Sequence, residues 1–354
     1  MSAAPRLLCL VVCVAVPLVL SGRWLSAAAV ALVLAVGAVG LNFLTGITGQ
    51  LSLGHAALLG VGAFTAAVLG GTTSTGLSTE RLVGHELPVF VWLPAAGVAA
   101  GIAGLVVAPA AARLRGLSLG IVTVGLVFLG GHVFATATSL TGGANGRSIP
   151  ELTVGGHGLR DPLTVAGVEL DRDAQWFYVA AAVLALAVVF VRNVERSRFG
   201  RACTAVRDRD TAAQVLGVDV NRVKLGAFAL SSVYAGICGA LYASYLGRVV
   251  GATQFDLLFS IQLVVMVIVG GLGSTGGAVC GALFVTFLPV VTTELRGVFP
   301  FLSDTGSGGL VTGDHFAVLL YGAALVAVLA IEPRGLAGLW DRTRAALRTW
   351  PLRP

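Results

Sequence analysis

Apolar residues run along this chain in long blocks, and the charged residues gather in the gaps between them. The clearest block extends from Trp24 to Thr79, 56 residues without an Asp, Glu, Lys or Arg. As one helix it would measure about 84 Å, far more than the ~30 Å of a bilayer's hydrocarbon core. It therefore predicts two spans, 24–44 and 51–70. The break between them is marked by Asn42, Thr45, Gly46, Thr48, Gly49, Gln50, Ser52 and Gly54. A second uncharged block, the 37 residues between Asp256 and Glu294, is interrupted in the same way by Gly270, Gly271, Gly273, Ser274, Gly276 and Gly277. It predicts spans 257–270 and 275–293.

The other blocks predict spans over 7–20, 88–112, 117–139, 176–191, 225–246 and 316–331, about ten in all. The first is short enough to resemble the apolar region of a signal peptide, but another apolar block follows directly after Gly22-Arg23, and it is expected to be retained. Three polar stretches stand apart. Residues 141–175, with Gly, Pro and short β-like pieces, predict an external loop. Residues 193–224 form the one long, densely charged segment between two spans, and residues 333–354 form a basic tail.

Composition agrees with the pattern. The chain is 56% apolar and 11% charged, with a mean hydropathy of +0.91. A soluble fold must still face water with most of its exterior, and a chain of this kind lacks the polar surface for it. The predicted class is an all-α polytopic membrane protein with about ten transmembrane helices, some of them broken. Residues 1–332 are expected to form one transmembrane domain embedded in the lipid bilayer. The net charge of +6 is then a matter of topology rather than of nucleic-acid binding. With the N-terminus inside, sixteen of the 23 basic residues fall on the cytoplasmic side, as the positive-inside rule requires. Both termini and the charged loop are expected there, in a multi-pass inner (plasma) membrane protein. The five cysteines have neither metal-ligand nor disulfide spacing and read as packing residues.

Candidate chemistry follows from the breaks and the loop. Gly49-x-x-Ser52-x-Gly54-x-Ala56 and Gly271-x-x-Ser274-x-Gly276-x-Ala278 match at a constant offset of 222 residues, the pattern of an internal repeat. Non-helical backbone at membrane depth is tolerated only against protein or a water-filled cavity. A substrate pathway is therefore expected along Asn42, Gln50, Ser52, Gly54, His55, Thr123, Gln262, Gly271 and Ser274, although close packing through small residues and interhelical hydrogen bonds would also produce this pattern. In the charged loop, 199–206 predicts a short helix, and Asp210 is expected to cap a second through Leu216, with Gly217 at its C-terminus. Their small-residue face, Ala202, Ala205, Val206, Ala212, Ala213 and Leu216, is suited to a partner's cleft, although a merely solvated positive-inside loop of this length is the alternative. Lys224 is the only lysine and Leu225 follows it, so no Gly-x-x-x-x-Gly-Lys-Ser/Thr phosphate loop exists and the chain is not expected to be an ATPase.

Three stretches together resemble the M-type permease subunits of branched-chain amino acid ABC importers. They are Thr48 to Ala57; Arg198-Phe199-Gly200-Arg201-Ala202 through Arg207-Asp208 to Leu216-Gly217-Val218 with Lys224-Leu225; and Gly270 to Ser274. The likeness covers roughly residues 25–332. It implies a second permease subunit as heterodimer partner, two cytoplasmic ATP-binding subunits and an external solute-binding protein. ATP and magnesium would be used by the ATPase, with no cofactor on this chain. It also implies a coupling helix that docks on the ATPase, which places Arg201, Ala202, Ala205, Arg207, Asp208, Asp210, Ala213, Leu216 and Gly217 at that contact. Two departures stand out: Asp210 where relatives commonly have glutamate, and Gly276-Gly277-Ala278 where they commonly have proline. The alternative function is a secondary transporter or channel for a small polar solute such as urea, an amide, a sugar or a nucleoside. That reading needs intramembrane carboxylates, and the predicted spans contain none.

Overall fold

The computed structural model describes residues 16–17, 20–75, 81–114, 116–149, 151–154, 157–159, 161–165, 168–249, 251–296 and 335–349, with a few positions between 319 and 330. The expected spans 7–20 and 316–331 lie almost wholly outside the described residues. Between them the predicted helices are present: α1 (Arg23–Asn42), α2 (His55–Gly70), α3 (Val89–Arg113), α4 (Leu117–Thr136), α5 (Arg172–Arg196), α6 (Arg198–Asp208), α7 (Asp210–Val215), α8 (Val220–Leu246), α9 (Leu257–Gly270) and α10 (Thr275–Arg296). A last helix, α11 (Gly335–Thr349), occupies the tail. Five of the helices are long and apolar enough to cross a membrane. The helices α2 and α9 have 16 and 14 residues, about 24 and 21 Å. Each is too short to cross alone, and each adjoins one of the two breaks.

Helix α1 is the centre of the bundle. It is buried almost throughout its length and packs against α5, α8, α9 and α10, while α8 also packs against α2 and α3. A helix that is apolar all round belongs in such a place, and α1 carries no charged residue after Arg23. Small residues bring its neighbours close. A Cβ on Gly239 of α8 would lie 2.0 Å from the Leu59 carbonyl oxygen of α2, so these two backbones touch as in close membrane helix pairs.

The chain's crossings alternate between two sides. On one, the segment after α4 pairs with the end of α8: Arg147 and Ser148 are antiparallel to Val249 and Arg248. Arg147 also donates through Nη2 to the Val83 carbonyl at 2.5 Å, and Arg172 at the start of α5 donates to the Tyr245 carbonyl. Short antiparallel pairs at 153–154 with 157–158 and 163–165 with 168–170 complete this cap. On the other side lie α6, α7, both breaks and the start of α11. The tail is thus not simply a basic extension. Gly335 closes to within 2.8 Å of Gly271, measured from the position a Cβ would take, and α11 packs on α9 and α10.

Candidate functional site

The first break starts with a π-helical turn, Phe43–Ile47, a form that recurs at functional sites in helices. Gly49 then takes φ +71°, and the chain runs without regular hydrogen bonding to His55. Its backbone groups nevertheless find partners, as burial demands. The Leu53 amide donates to Thr123 Oγ1 at 3.0 Å, Gly54 to Ser52 Oγ at 3.4 Å, and Ala56 to Ser260 Oγ of α9 at 2.9 Å.

His55 is held from both sides. Ser231 Oγ donates to the Gly40 carbonyl at 2.7 Å, so its one proton is engaged and it accepts from His55 Nε2 at 2.8 Å. The imidazole proton therefore sits on Nε2, and the bare Nδ1 accepts from Ser52 Oγ at 3.2 Å. His55 is a neutral tie between α2, α8 and α1, with 1% of its surface exposed.

The second break comes against the first. Gly271 and Gly273 have φ of +114° and +83°, and Gly273 donates its amide to Asn42 Oδ1 at 2.8 Å. A Cβ on Gly46 would lie 2.2 Å from that same amide nitrogen. Ser274 Oγ accepts from Gly277 at 3.1 Å and caps α10. The two repeat units thus share a positive φ at Gly49 and Gly271, and the helices that follow both run from the break side towards the cap.

Helices α6 and α7 lie directly beneath this junction. Ser197 caps α6 by accepting from Gly200 at 3.3 Å, and Phe199 stacks on Phe43 with ring centroids 6.3 Å apart. Arg207 is an exposed residue whose guanidinium reaches back to the break, where its Nη1 donates to the Gly46 carbonyl at 2.5 Å. Asp210 is the first residue of α7 rather than its cap, and its Oδ2 meets Lys224 Nζ of α8 at 2.8 Å. Glu195 of α5 accepts from Thr275 of α10 at 2.8 Å. The break junction is therefore tied to α5, α6 and α8, and α7 is tied to α8 beside it.

The small-residue face is divided between inside and outside. Val206 and Ala213 are buried in this chain, and Ala202 and Ala205 are half-buried against its core. Facing outward instead are Arg201, Asp208, Ala212, Gly217 and, above all, Val215 and Leu216, 87% and 82% exposed. These two adjacent large apolar side chains are left uncovered at the end of α7. Cys203 sits on the inward face, and burial pushes its thiol up to about 12. With the other four cysteines replaced, maleimide at pH 8 is expected to label Cys203 slowly. The exposed neighbour, tested as Thr204→Cys with Cys203→Ala, is expected to label at least tenfold faster. Equal rates would show that α6 is not seated as described.

Among the expected pathway residues, Asn42, Ser52, Gly54, His55, Thr123 and Gly271 are buried. The side chains of Asn42, Ser52, His55 and Thr123 are engaged in the hydrogen bonds above. Gln262 is half-buried in α9. Gln50 lines a polar cavity of about 520 Å³ beside α6 and α7. Ser231 and Ser260 complete the arrangement without having been expected, and they are joined by Gly46, read only as a break marker, and Lys224, read only within the charged stretch. Ser260 and Ser231 were visible as polar interruptions of apolar runs, but nothing in their spacing names their partners.

Residues 24–329 match the family model described as branched-chain amino acid transport system / permease component. The chain is 28% identical over 342 residues to the high-affinity branched-chain amino acid transport system permease protein LivM of Escherichia coli K12, covering 92% of this chain and 73% of that protein. It is 30% identical, with the same coverage, to LivM of Salmonella typhimurium LT2. Over 307 residues it is 24% identical to the permease protein LivH of Escherichia coli K12, covering 85% of this chain and 90% of that one. No solved structure matches.

Proposed function

Because the chain belongs to the family of branched-chain amino acid transport system permease components, we propose that it is a membrane-spanning subunit of an ATP-driven importer of branched-chain amino acids. The observation that carries this is the double-faced α6–α7 pair. Its outer face offers Val215 and Leu216, while its inner face places Arg207 on Gly46, where the two breaks meet. A partner that moves α6 thereby moves the junction. In this reading two cytoplasmic ATP-binding subunits dock on α6 and α7, bind ATP and magnesium, and supply the work. This chain holds no cofactor. Nucleotide-driven closure shifts the bundle between two packings.

Similarity to both LivM and LivH, two differently named permease proteins of one organism, supports a heterodimer of related permeases. An external solute-binding protein would meet the cap. The alternation of the described helices supports about ten spans with both termini and α6 and α7 in the cytoplasm. The pathway residues act in this scheme as the hydrogen-bonded closure of the first break, which must be remade when access changes. Against an ion-coupled carrier, the carboxylates in the described spanning helices, Asp173, Glu195 and Glu294, all lie within two residues of a helix end, so none is placed to bind a coupling ion at mid-membrane.

The test is affinity purification of the chain from its native membrane in mild detergent. A second permease and a soluble ATPase are expected to co-purify, and the double variant Val215→Glu, Leu216→Glu is expected to lose the ATPase while keeping the permease. A chain that purifies alone and transports without ATP would falsify the reading.

A further inference from the structure

Helix α11 follows the apolar block that ends at Ile331, and the coupling scheme makes no use of it. We propose that its uncovered part is a docking surface for the anionic phospholipid of the leaflet on the break side. The proposed function enters only in naming that leaflet the cytoplasmic one.

The first turn of α11 fixes where the helix lies. Gly335 has φ +68°, and a Cβ there would lie 2.8 Å from Gly271 Cα and from the Ile268 carbonyl oxygen of α9. Two residues on, Ala337 Cβ lies 3.1 Å from the position a Cβ would take on Gly277 of α10. Glycine is therefore required at 335 both by conformation and by close approach, and the turn rests on both flanks of the second break. Beyond it the helix is uncovered. Leu339 and Trp340 are 37% and 68% exposed, and Arg342 is exposed. Leu272, next to Gly271 in the break itself, is 54% exposed. Trp340 stands five residues after Gly335, within about 7.5 Å of it along the axis, a distance comparable with the depth of one headgroup layer.

Charge names the partner. Residues 334–354 hold five arginines against one acidic residue, Asp341. A helix that shows Trp and Leu in a basic stretch suits the membrane–water boundary. The indole favours headgroup depth, and arginines are drawn to anionic headgroups. An ATPase is the less fitting occupant, because the uncovered residues stay close to the bundle end, where lipid headgroups already stand. The segment is also nearly of one sign, whereas α6 and α7, which supply the ATPase contact in the proposed function, mix Arg201, Arg207 and Arg209 with Asp208 and Asp210. Lipid held on α11 ties the second break to the leaflet.

The experiment uses the assembled importer in nanodiscs of equal parts phosphatidylglycerol and phosphatidylcholine, with one or the other lipid brominated near its headgroup. Bromine quenches tryptophan on contact, and the fluorescence that Trp340→Phe removes is the share of Trp340. That share is expected to be quenched at least twofold more strongly by brominated phosphatidylglycerol than by brominated phosphatidylcholine. The difference should vanish in the triple variant Arg342→Gln, Arg344→Gln, Arg348→Gln, and it should shrink in the unaltered importer when salt is raised, through screening. Equal quenching of the unaltered importer by the two lipids at low salt overturns the proposal. So does a Trp340 share that acrylamide quenches and neither lipid does. A share that lipid quenches only after the ATPase subunits are stripped away also overturns it and gives α11 to the ATPase. None of these results touches the importer reading, which stands or falls on co-purification of the ATPase.

Discussion

Replacing Arg207 with alanine is expected to reduce ATP-driven transport by about 5–150-fold, the range of a typical coupling free energy, while the ATPase subunits remain bound and active. The residue falls in the stretch that resembles a docking helix, which suggests an outward contact with the ATPase. In the folded chain its guanidinium instead points up, to the Gly46 carbonyl in the π-turn. That carbonyl belongs to the residue whose Cα packs on the Gly273 amide, and Asn42, one turn earlier, holds the same amide. Arg207 is thus the contact through which a displacement of α6 reaches both breaks at once. Removing it should separate docking from transmission: nucleotide hydrolysis continues, and solute ceases to follow. Arg207→Lys keeps the charge but not the fork geometry and should recover only part of the transport. Loss of the ATPase from the purified alanine variant would instead make Arg207 a docking residue, and wild-type transport would make the Gly46 contact incidental.

The spans were legible because apolar blocks bounded by charge have one solution in a bilayer of fixed thickness. The breaks were legible because Asn42, Gln50 and Ser52 lie too close together in an apolar run to be chance interruptions. Partnership was not legible. His55 meets Ser231, 176 residues away, and Asn42 meets Gly273, 231 residues away. A hydroxyl within an apolar helix carries no mark of which helix will face it. The direction of Arg207 was equally hidden, because a short amphipathic helix between two membrane segments can turn either face to the lipid-side bundle. The choice was made by Gly200, Cys203 and Val206, whose buried stripe rotates Arg207 towards the break. Helix α11 was missed for a related reason: its basic residues read as a solvated tail, while Gly335 and Gly338, both buried, provide the surface that seats it.

Lys224 and Asp210 carry the second large effect. Their side chains are 8% and 16% exposed and 2.8 Å apart, joining α7 to α8 beside the cavity. Removing one member of such a pair takes away the contact that offsets the other's desolvation, which in buried pairs costs about 3–5 kcal/mol. Lys224→Met is therefore expected to destabilise the purified permease by about 3 kcal/mol, the lower end of that range, because the cavity admits water to one side of the pair. Asp210→Leu should cost a similar amount. The double variant should cost about as much as either single variant rather than their sum, giving a coupling energy of about 3 kcal/mol, the upper end of the range for residues in contact. Transport should not recover in the double variant, which refills the space without restoring a directional tie between α7 and α8. Thermal unfolding of the four proteins closes the stability cycle, and transport by the same four in the reconstituted importer closes the functional one. Single variants as stable as the wild type would show the pair to be a solvated surface contact. A double variant that regains full transport would show that α7 is held by packing alone, through Ala213, and that the ion pair transmits nothing.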